Sequence, residues 1–329
     1  VAGGTPRFAV IGAGIGGLTA ALSLHEAGVE VDVFESVAEL HPLGVGINLL
    51  PHAVRELDAL GLLESLRARS IAPELLVYFT RRGQEIWREP RGVAAGYPWP
   101  QLSVHRGVLQ QVLLDAALER LGSERLHLGH RLVEVDDDGP RPVAVFDDTS
   151  HEADVVVAAD GIHSALRGQR YPDEGPALWN GALLWRGLAE IDPVLGGRTM
   201  VWAGHPDQKF VGYPIADLPD GRQAFNFIAE LRRPDSPLGQ AESWNRAGSR
   251  ADFLPAFEDW RFDWLEVPSV IQAAPETFLF PMVDRDPLPR WTFGRTTLLG
   301  DAAHPMYPIG SNGASQAILD GRVLAGCVR

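Results

Sequence analysis

Cysteine is nearly absent: Cys327 stands alone among 329 residues, which excludes an intrachain disulfide framework and any cysteine-based metal cluster. No metal site is expected. Lysine is equally scarce, with Lys209 the only one among 29 basic residues. Acidic residues number 43, for a formal net charge of −14, and without a cationic excess no nonspecific hold on DNA, RNA or anionic lipid is expected. Apolar runs break off well before the roughly 20 residues that a membrane-spanning helix needs. The N-terminus carries glycines through its apolar stretch and no basic flank, unlike a signal peptide, so a cytoplasmic location is the expectation. Repeats and low-complexity tracts are missing too.

Glycine and proline, at 35 and 25 residues, punctuate a readable pattern. Residues 7 to 35 read as strand, tight turn, helix and strand. RFAVI is apolar, Leu18, Ala21 and Leu22 recur at helical spacing, Gly28 can end the helix, and VEVDVFE alternates. That is a βαβ unit. A second helical stretch runs from Pro51 to about Ala68 with a break near Gly61, and residues 75 to 88 look like a hairpin around Arg82 and Gly83. Leu109, Val112, Leu113 and Ala116 define another helix, stopped by Gly122. RLVEV, RPVAVF and ADVVVAAD read as three strands, the last apolar throughout as a buried parallel strand would be. After about residue 176 the texture turns aromatic and β-like, with ESWNRAGSRADFLPAFEDW reading as helix, before RTTLLGD returns to a buried-strand pattern. The expectation is an α/β protein. A nucleotide-binding domain would be assembled from residues 1–70, 101–175 and 281–329, and interrupted by a β-rich domain of residues 71–100 and 176–280.

The chemistry gathers where strands end. Gly12, Gly14 and Gly17 form GxGxxG between a strand and a helix, with Glu35 closing the next strand. Such a turn lets a pyrophosphate approach backbone at a helix N-terminus while the carboxylate takes a ribose diol. The motif alone does not choose between FAD and NAD(P). Arg106 stands where its helix starts, the wrong end for a cation facing a helix dipole. It needs an anion, either a phosphate that its planar fork suits or a nearby surface acid. Asp160 and Gly161 follow a buried strand at the edge where open α/β sheets bind ligands, although an N-cap Asp before a turn glycine reads the same way. Gly300 and Asp301 repeat the arrangement. No second GxGxxG occurs, so a nicotinamide dinucleotide would have to bind without a Rossmann domain of its own.

In order, GxGxxG, Glu35, PLGVGINLLPHAVRELDALGL, HRG at 105–107, ADGIHSALR and LLGDAAHPMYPIGSNGASQAILDG resemble the class A flavoprotein aromatic monooxygenases, the family of 4-hydroxybenzoate and salicylate hydroxylases. The similarity spans nearly the whole chain. PLGVGIN, WRG at 185–187 and PMVDRDPLP look most like the branch acting on methylphenazine carboxylates. The resemblance implies a Rossmann-like FAD-binding domain with an inserted β-sheet-rich substrate domain, bound FAD, and NADH or NADPH as a transient reductant. It implies oxygen transfer from a flavin C4a-hydroperoxide, formed with O2, to a phenazine-like or hydroxyaromatic acid.

Carried over by position, Gly12, Gly14, Ile15, Gly16, Gly17 and Arg106 meet the pyrophosphate, Glu35 the adenosine ribose and Asp301 the ribityl chain. Asp160 supports the pyrophosphate region, and Ser36 and Leu132 also lie on the cofactor side. Gly46 and Ile47 bring backbone near the isoalloxazine, with Pro308 on its flank and the N–H groups of Gly310, Ser311, Asn312, Gly313 and Ala314 toward its N1/C2 side. Arg186 would take a substrate carboxylate or carbonyl and Tyr213 would orient a phenol. Asn48, Trp185, His205, Phe225, Met306 and Tyr307 would line the pocket, with Phe210 and Phe227 as further aromatics. Ordinary core or sheet-face packing competes with each pocket assignment. A flavin-dependent halogenase shares the front half, but its WxWxIP segment is missing here; a flavin-binding sensor without turnover is the reading from outside enzymology. The family continues for several helices beyond the position of Arg329.

Overall fold

The computed structural model describes residues 5–40, 44–236 and 246–328, and two large sheets organise them. The six-stranded sheet runs Thr292–Phe293, Thr296–Leu298, Val155–Ala158, Arg7–Ile11, Glu30–Glu35, Leu126–Leu128. All neighbours are parallel except the Thr292–Phe293 edge. Ala9, Val10, Val156 and Val157 are fully buried, as strands covered on both faces require. The helices Ile15–Glu26 and Gly313–Val328 lie together so closely that a Cβ on Gly321 would fall 2.8 Å from the Ala20 nitrogen. Arg106–Leu121 turns Leu109, Val112, Leu113 and Ala116 into the same core.

The eight-stranded sheet has the order Arg246–Ala247, Thr277–Asp284, Leu178–Ile191, Gln223–Arg232, Gln208–Asp217, Thr199–His205, Leu75–Phe79, Glu85–Pro90. Side chains alternate between its faces. Trp185, Phe210, Phe225 and Phe227 point to one face, where Phe253, Phe257 and Trp260 cover them. Tyr213 and Ile215 belong to the opposite face, with Leu76 and Met200. A three-stranded sheet of Gly46–Leu49, Leu102–His105 and Ser70–Ile71 lies between the two large ones.

Two expectations need correction. Residues 242–245 of the segment read as helix lie outside the described residues, as do Pro42 and Leu43 of PLGVGIN. The rest of that segment forms the strand Arg246–Ala247 and two 3₁₀ turns, Arg250–Asp252 and Leu254–Phe257. Packing overrides helical spacing here: Phe253 is drawn flat against Trp185 with ring centroids 5.1 Å apart, and Pro255 blocks a longer helix. A short strand missed in the sequence, Ser150–Glu152, pairs with Val143–Phe146.

Candidate active site

Register brings the strand ends to one edge. Ile11 lies beside Ala158, while Ala158 pairs with Leu298, so Gly12, Asp160 and Asp301 emerge near one another, with Glu35 on the flanking strand. Gly12 has φ +102°, and a Cβ there would lie 2.5 Å from the Ala159 carbonyl oxygen. A Cβ on Gly17 would lie 1.9 Å from the Gly12 oxygen, so the turn excludes side chains at both positions. Gly14 faces open space. Glu35 accepts from the Ala13 N–H at 2.8 Å, and from Ser36 Oγ and the Val37 N–H at 3.0 Å each.

Three charged groups at this edge are poorly satisfied by the protein alone. Asp160 accepts from the Ala165 N–H at 2.9 Å through Oδ2, while its Oδ1 is buried without a partner. Burial raises its carboxyl above the ordinary range, against hydrogen bonds from Ser164 and Ala165. Asp301 keeps an exposed side chain, yet the protein crowding its other sides raises its carboxyl too, with His304 and Arg106 opposing. Arg106 is exposed at the first position of its helix, and among the described residues no carboxylate forms an ion pair with it. Open backbone at Gly14, an unpaired cation and an unsatisfied buried acid oxygen together fit a dinucleotide carrying phosphates and hydroxyls.

The turn after Thr296–Leu298 is braced from behind. Asp320 accepts from the Gly300 N–H at 2.9 Å and pairs with His304 Nε2 at 2.6 Å. Burial alone would lower His304, but the Asp320 hydrogen bond and charge outweigh it and raise the imidazole. Arg167, 1% exposed, donates to the carbonyls of Ala302 and Ala303 at 3.1 and 3.0 Å and pairs with Glu174. The turn delivers Pro308, Gly310, Ser311 and Asn312 to the start of Gly313–Val328, where Gly313 and Ala314 occupy the first turn. Ser315 Oγ accepts from the Leu50 N–H at 3.1 Å, tying that helix to the strand Gly46–Leu49.

The second sheet meets this edge through one peptide. Arg186 Nη2 and Tyr213 Oη each donate to the Gly46 carbonyl at 2.7 Å, and Asn226 Oδ1 accepts from the Gly46 N–H at 2.8 Å. A Cβ on Gly46 would approach Asn226 Cβ to 2.7 Å, so only glycine lets the strand lie this close. Asn226 Nδ2 and Arg186 Nε are buried without partners. Burial lowers Arg186 against the pull of Tyr213, with Arg106 adding repulsion; burial raises Tyr213 against Arg186. Arg186 has no acid partner among the described residues and leans over the Phe280 ring at 5.5 Å.

Of the pocket residues expected from sequence, Arg186, Tyr213 and Tyr307 share this side of the sheet, Tyr307 against Leu184, Ile228, Phe280 and Met282. Asn48 is buried and accepts from Ser103 Oγ at 2.5 Å. Met306 is half-buried in the turn, beside Tyr307. Trp185 and Phe225 are corrected: both point to the opposite face and are core, because they neighbour Arg186 and Asn226 on alternating strands. His205 is corrected as well. It is exposed in the tight link between Thr199–His205 and Gln208–Asp217, near Asp207, at the end of the hairpin remote from Tyr213. Ile15, Gly16 and Ile47 sit at the turn and strand just described, Gly16 with its Cα toward Leu299 and Ala317, whereas Leu132 is packed beside Phe34 and Phe146 and can offer a ligand only backbone. Asn226, Arg167 and Asp320 were not singled out from sequence, although a lone asparagine inside the apolar strand QAFNFIAEL was a visible signal.

The FAD binding domain family matches residues 7–247. The chain is 46% identical over 327 residues to the phenazine 1,6-dicarboxylic acid hydroxylase PhzS of Lysobacter antibioticus, covering 96% of this chain and 80% of that one. It is 32% identical to the 6-hydroxynicotinate 3-monooxygenase of Bordetella bronchiseptica, covering 98% and 82%. Among solved structures, Klebsiella pneumoniae HpxO complexed with FAD and uric acid superposes with a TM-score of 0.82 at 27% identity, covering 98% of this chain and 80% of that one.

Proposed function

The chain belongs to the FAD-binding-domain family of flavoprotein aromatic monooxygenases, and on that premise we propose that its substrate is a planar fused-ring aromatic acid or phenol, a phenazine carboxylate being the model case. The protein is an FAD-dependent aromatic hydroxylase that consumes NADH or NADPH and O2. FAD, once reduced, supplies the activation of dioxygen. The residues of the chain bind, orient and exclude water.

Gly12, Gly14, Ile15, Gly16 and Gly17 form the backbone cradle of the pyrophosphate, and Arg106 supplies its countercharge. Glu35, with Ser36 beside it, takes the adenosine ribose; Asp301 takes the ribityl hydroxyls; Asp160 holds the neighbouring turn. The N–H groups opening Gly313–Val328 would offer the positive end of a helix dipole to a bound, reduced flavin. Gly46 and Ile47 form the wall that Arg186, Tyr213 and Asn226 fix from behind. The substrate ring lies on the half-buried face formed by Leu184, Ile228, Phe280 and Tyr307, which supplies apolar contact and keeps water from the reacting carbon. We assign residues 1–70, 101–175 and 281–329 to the FAD-binding domain and residues 71–100 and 176–280 to the substrate domain.

The observation that carries this reading is the half-buried Arg186, its Nε buried without a partner and no carboxylate paired with it among the described residues, beside a phenolic hydroxyl and an apolar sheet face. Such a cation is costly until an anionic ligand or cofactor neutralises it. The experiment supplies reductant, FAD, phenazine-1-carboxylate and isotopically labelled O2, and examines the product by mass spectrometry. One labelled oxygen per product is expected, with less peroxide than without substrate. Label drawn from water overturns the proposal.

A further inference from the structure

The only lysine of the chain is largely enclosed on the same sheet face as Arg186. Strand register sets the rows: Arg186 pairs with Ile228, and Ile228 with Val211; one step along, Leu184 pairs with Glu230, and Glu230 with Lys209. Residues two apart on a strand share a face, so Lys209 and Glu230 stand on the face that carries Arg186, Ile228 and Leu184. Lys209 Nζ lies 2.6 Å from a Glu230 oxygen, with side chains only 12% and 8% exposed. It also sits 5.6 Å from the centre of the Trp202 ring. From the strand spacings, Arg186 and Lys209 are about 12 Å apart at Cα, two strands across and one pleat along.

The hydration lost on enclosing such a pair can exceed what its attraction returns, and apolar residues of similar size often hold a sheet as well. The surrounding positions, Leu184, Ile228 and Val211, are indeed apolar. An ammonium has three N–H donors; Glu230 occupies one side of it and the Trp202 face another. We propose that Lys209 is a specificity residue: its remaining donor takes a carboxylate on the part of the aromatic substrate remote from Gly46, and Glu230 positions it for that contact. The substrate is then an aromatic acid whose acidic group lies toward Trp202, with its ring over Ile228 and Phe280. This rests on the reading of that face as the substrate site.

Binding is measured on the FAD-loaded protein by the change in flavin absorbance, with phenazine-1-carboxylate and its uncharged, equally shaped carboxamide as probes. The native protein should prefer the acid by tenfold or more. Lys209→Met should abolish the preference by weakening the acid alone, Lys209→Arg should restore most of it, and Glu230→Gln should retain a preference for the acid with altered KM and little change in kcat. Because Lys209→Met strands Glu230 in the interior, a Lys209→Met, Glu230→Leu double variant repeats the measurement without an unpaired charge. An undiminished preference for the acid in either lysine-free variant, or no preference in the native protein, overturns the assignment of Lys209 while leaving the hydroxylase site intact. Failure of both probes to perturb the flavin of the native protein removes the site reading itself, and this assignment with it.

Discussion

Removing Arg106 should move FAD affinity and the stability of the apoprotein in opposite directions. The guanidinium stands at the first position of the helix Arg106–Leu121 without an ion-pair partner among the described residues, so Arg106→Ala deletes no salt bridge. A cation at a helix N-terminus opposes the macrodipole by about 0.3–1 kcal/mol, and the attraction of Arg106 to Asp301 stands against its repulsion of the half-buried Arg186. Its loss should therefore leave the apoprotein unchanged or more stable by up to about 1 kcal/mol. If the residue meets the pyrophosphate, the charge-assisted hydrogen bond lost from the complex is worth about 1.5–3 kcal/mol, which weakens FAD binding by roughly tenfold to 150-fold. FAD is stripped, the apoprotein is melted thermally with and without the substitution, and FAD is titrated back by quenching of its fluorescence. An unchanged dissociation constant would falsify the phosphate role. A clear loss of apoprotein stability would mean that Arg106 is a structural residue instead.

Gly17→Ala should abolish FAD retention, since its Cβ would lie 1.9 Å from the Gly12 oxygen; full retention after gel filtration refutes the cradle. Tyr213→Phe should cost only about 0.5–1.5 kcal/mol of stability, because Arg186 still donates to the Gly46 carbonyl; a loss several times larger in a denaturant titration refutes that shared acceptor. Asp160 gives a pH signature. Its carboxyl is raised from 3.8 in the folded protein, so just above pH 3.8 the folded form keeps a proton that the unfolded form has released. Its contribution is therefore complete at lower pH and fades as pH rises through that window. Asp160→Asn should flatten this part of the apoprotein's stability profile, and an unaltered slope between native and variant counts against the assignment.

What could be read from the sequence was local geometry. The turn from Gly12 to Gly17, the helix carrying Leu109 to Ala116 and the acids ending three strands are each defined by residues a few positions apart, and spacing records such relations directly. Asn226 was missed because its partner, the Gly46 N–H, is 180 residues away, and nothing local marks two strands from different sheets as neighbours. The errors at Trp185 and Phe225 were avoidable. Strand alternation forbids Trp185 and Arg186 from facing the same side, so placing Arg186 in the pocket already assigned Trp185 to the core. ESWNRAGSRADFLPAFEDW failed for the opposite reason: its helical spacing was real, but Phe253 and Phe257 are needed to cover an aromatic sheet face, and that demand is visible only in three dimensions.

Several groups that the protein leaves unsatisfied lie along the path from nucleotide edge to substrate face. Asp160 Oδ1 and Arg186 Nε are buried without partners, Arg106 has no ion-pair partner among the described residues, and Lys209 and Glu230 are enclosed as a pair. Arg167, equally enclosed, is held by Glu174 and two carbonyls. A ligand that satisfied Asp160 and Arg186 would stabilise the folded state, so binding and folding stability would be linked. The peptide at Gly46 makes this linkage mechanical: Arg186, Tyr213 and Asn226 all hold it, and it forms the wall between the two sheets. The strand Gly46–Leu49 is thus joined at one end to Arg186 and, through the Leu50 N–H and Ser315 Oγ, to the helix that opens at Gly313.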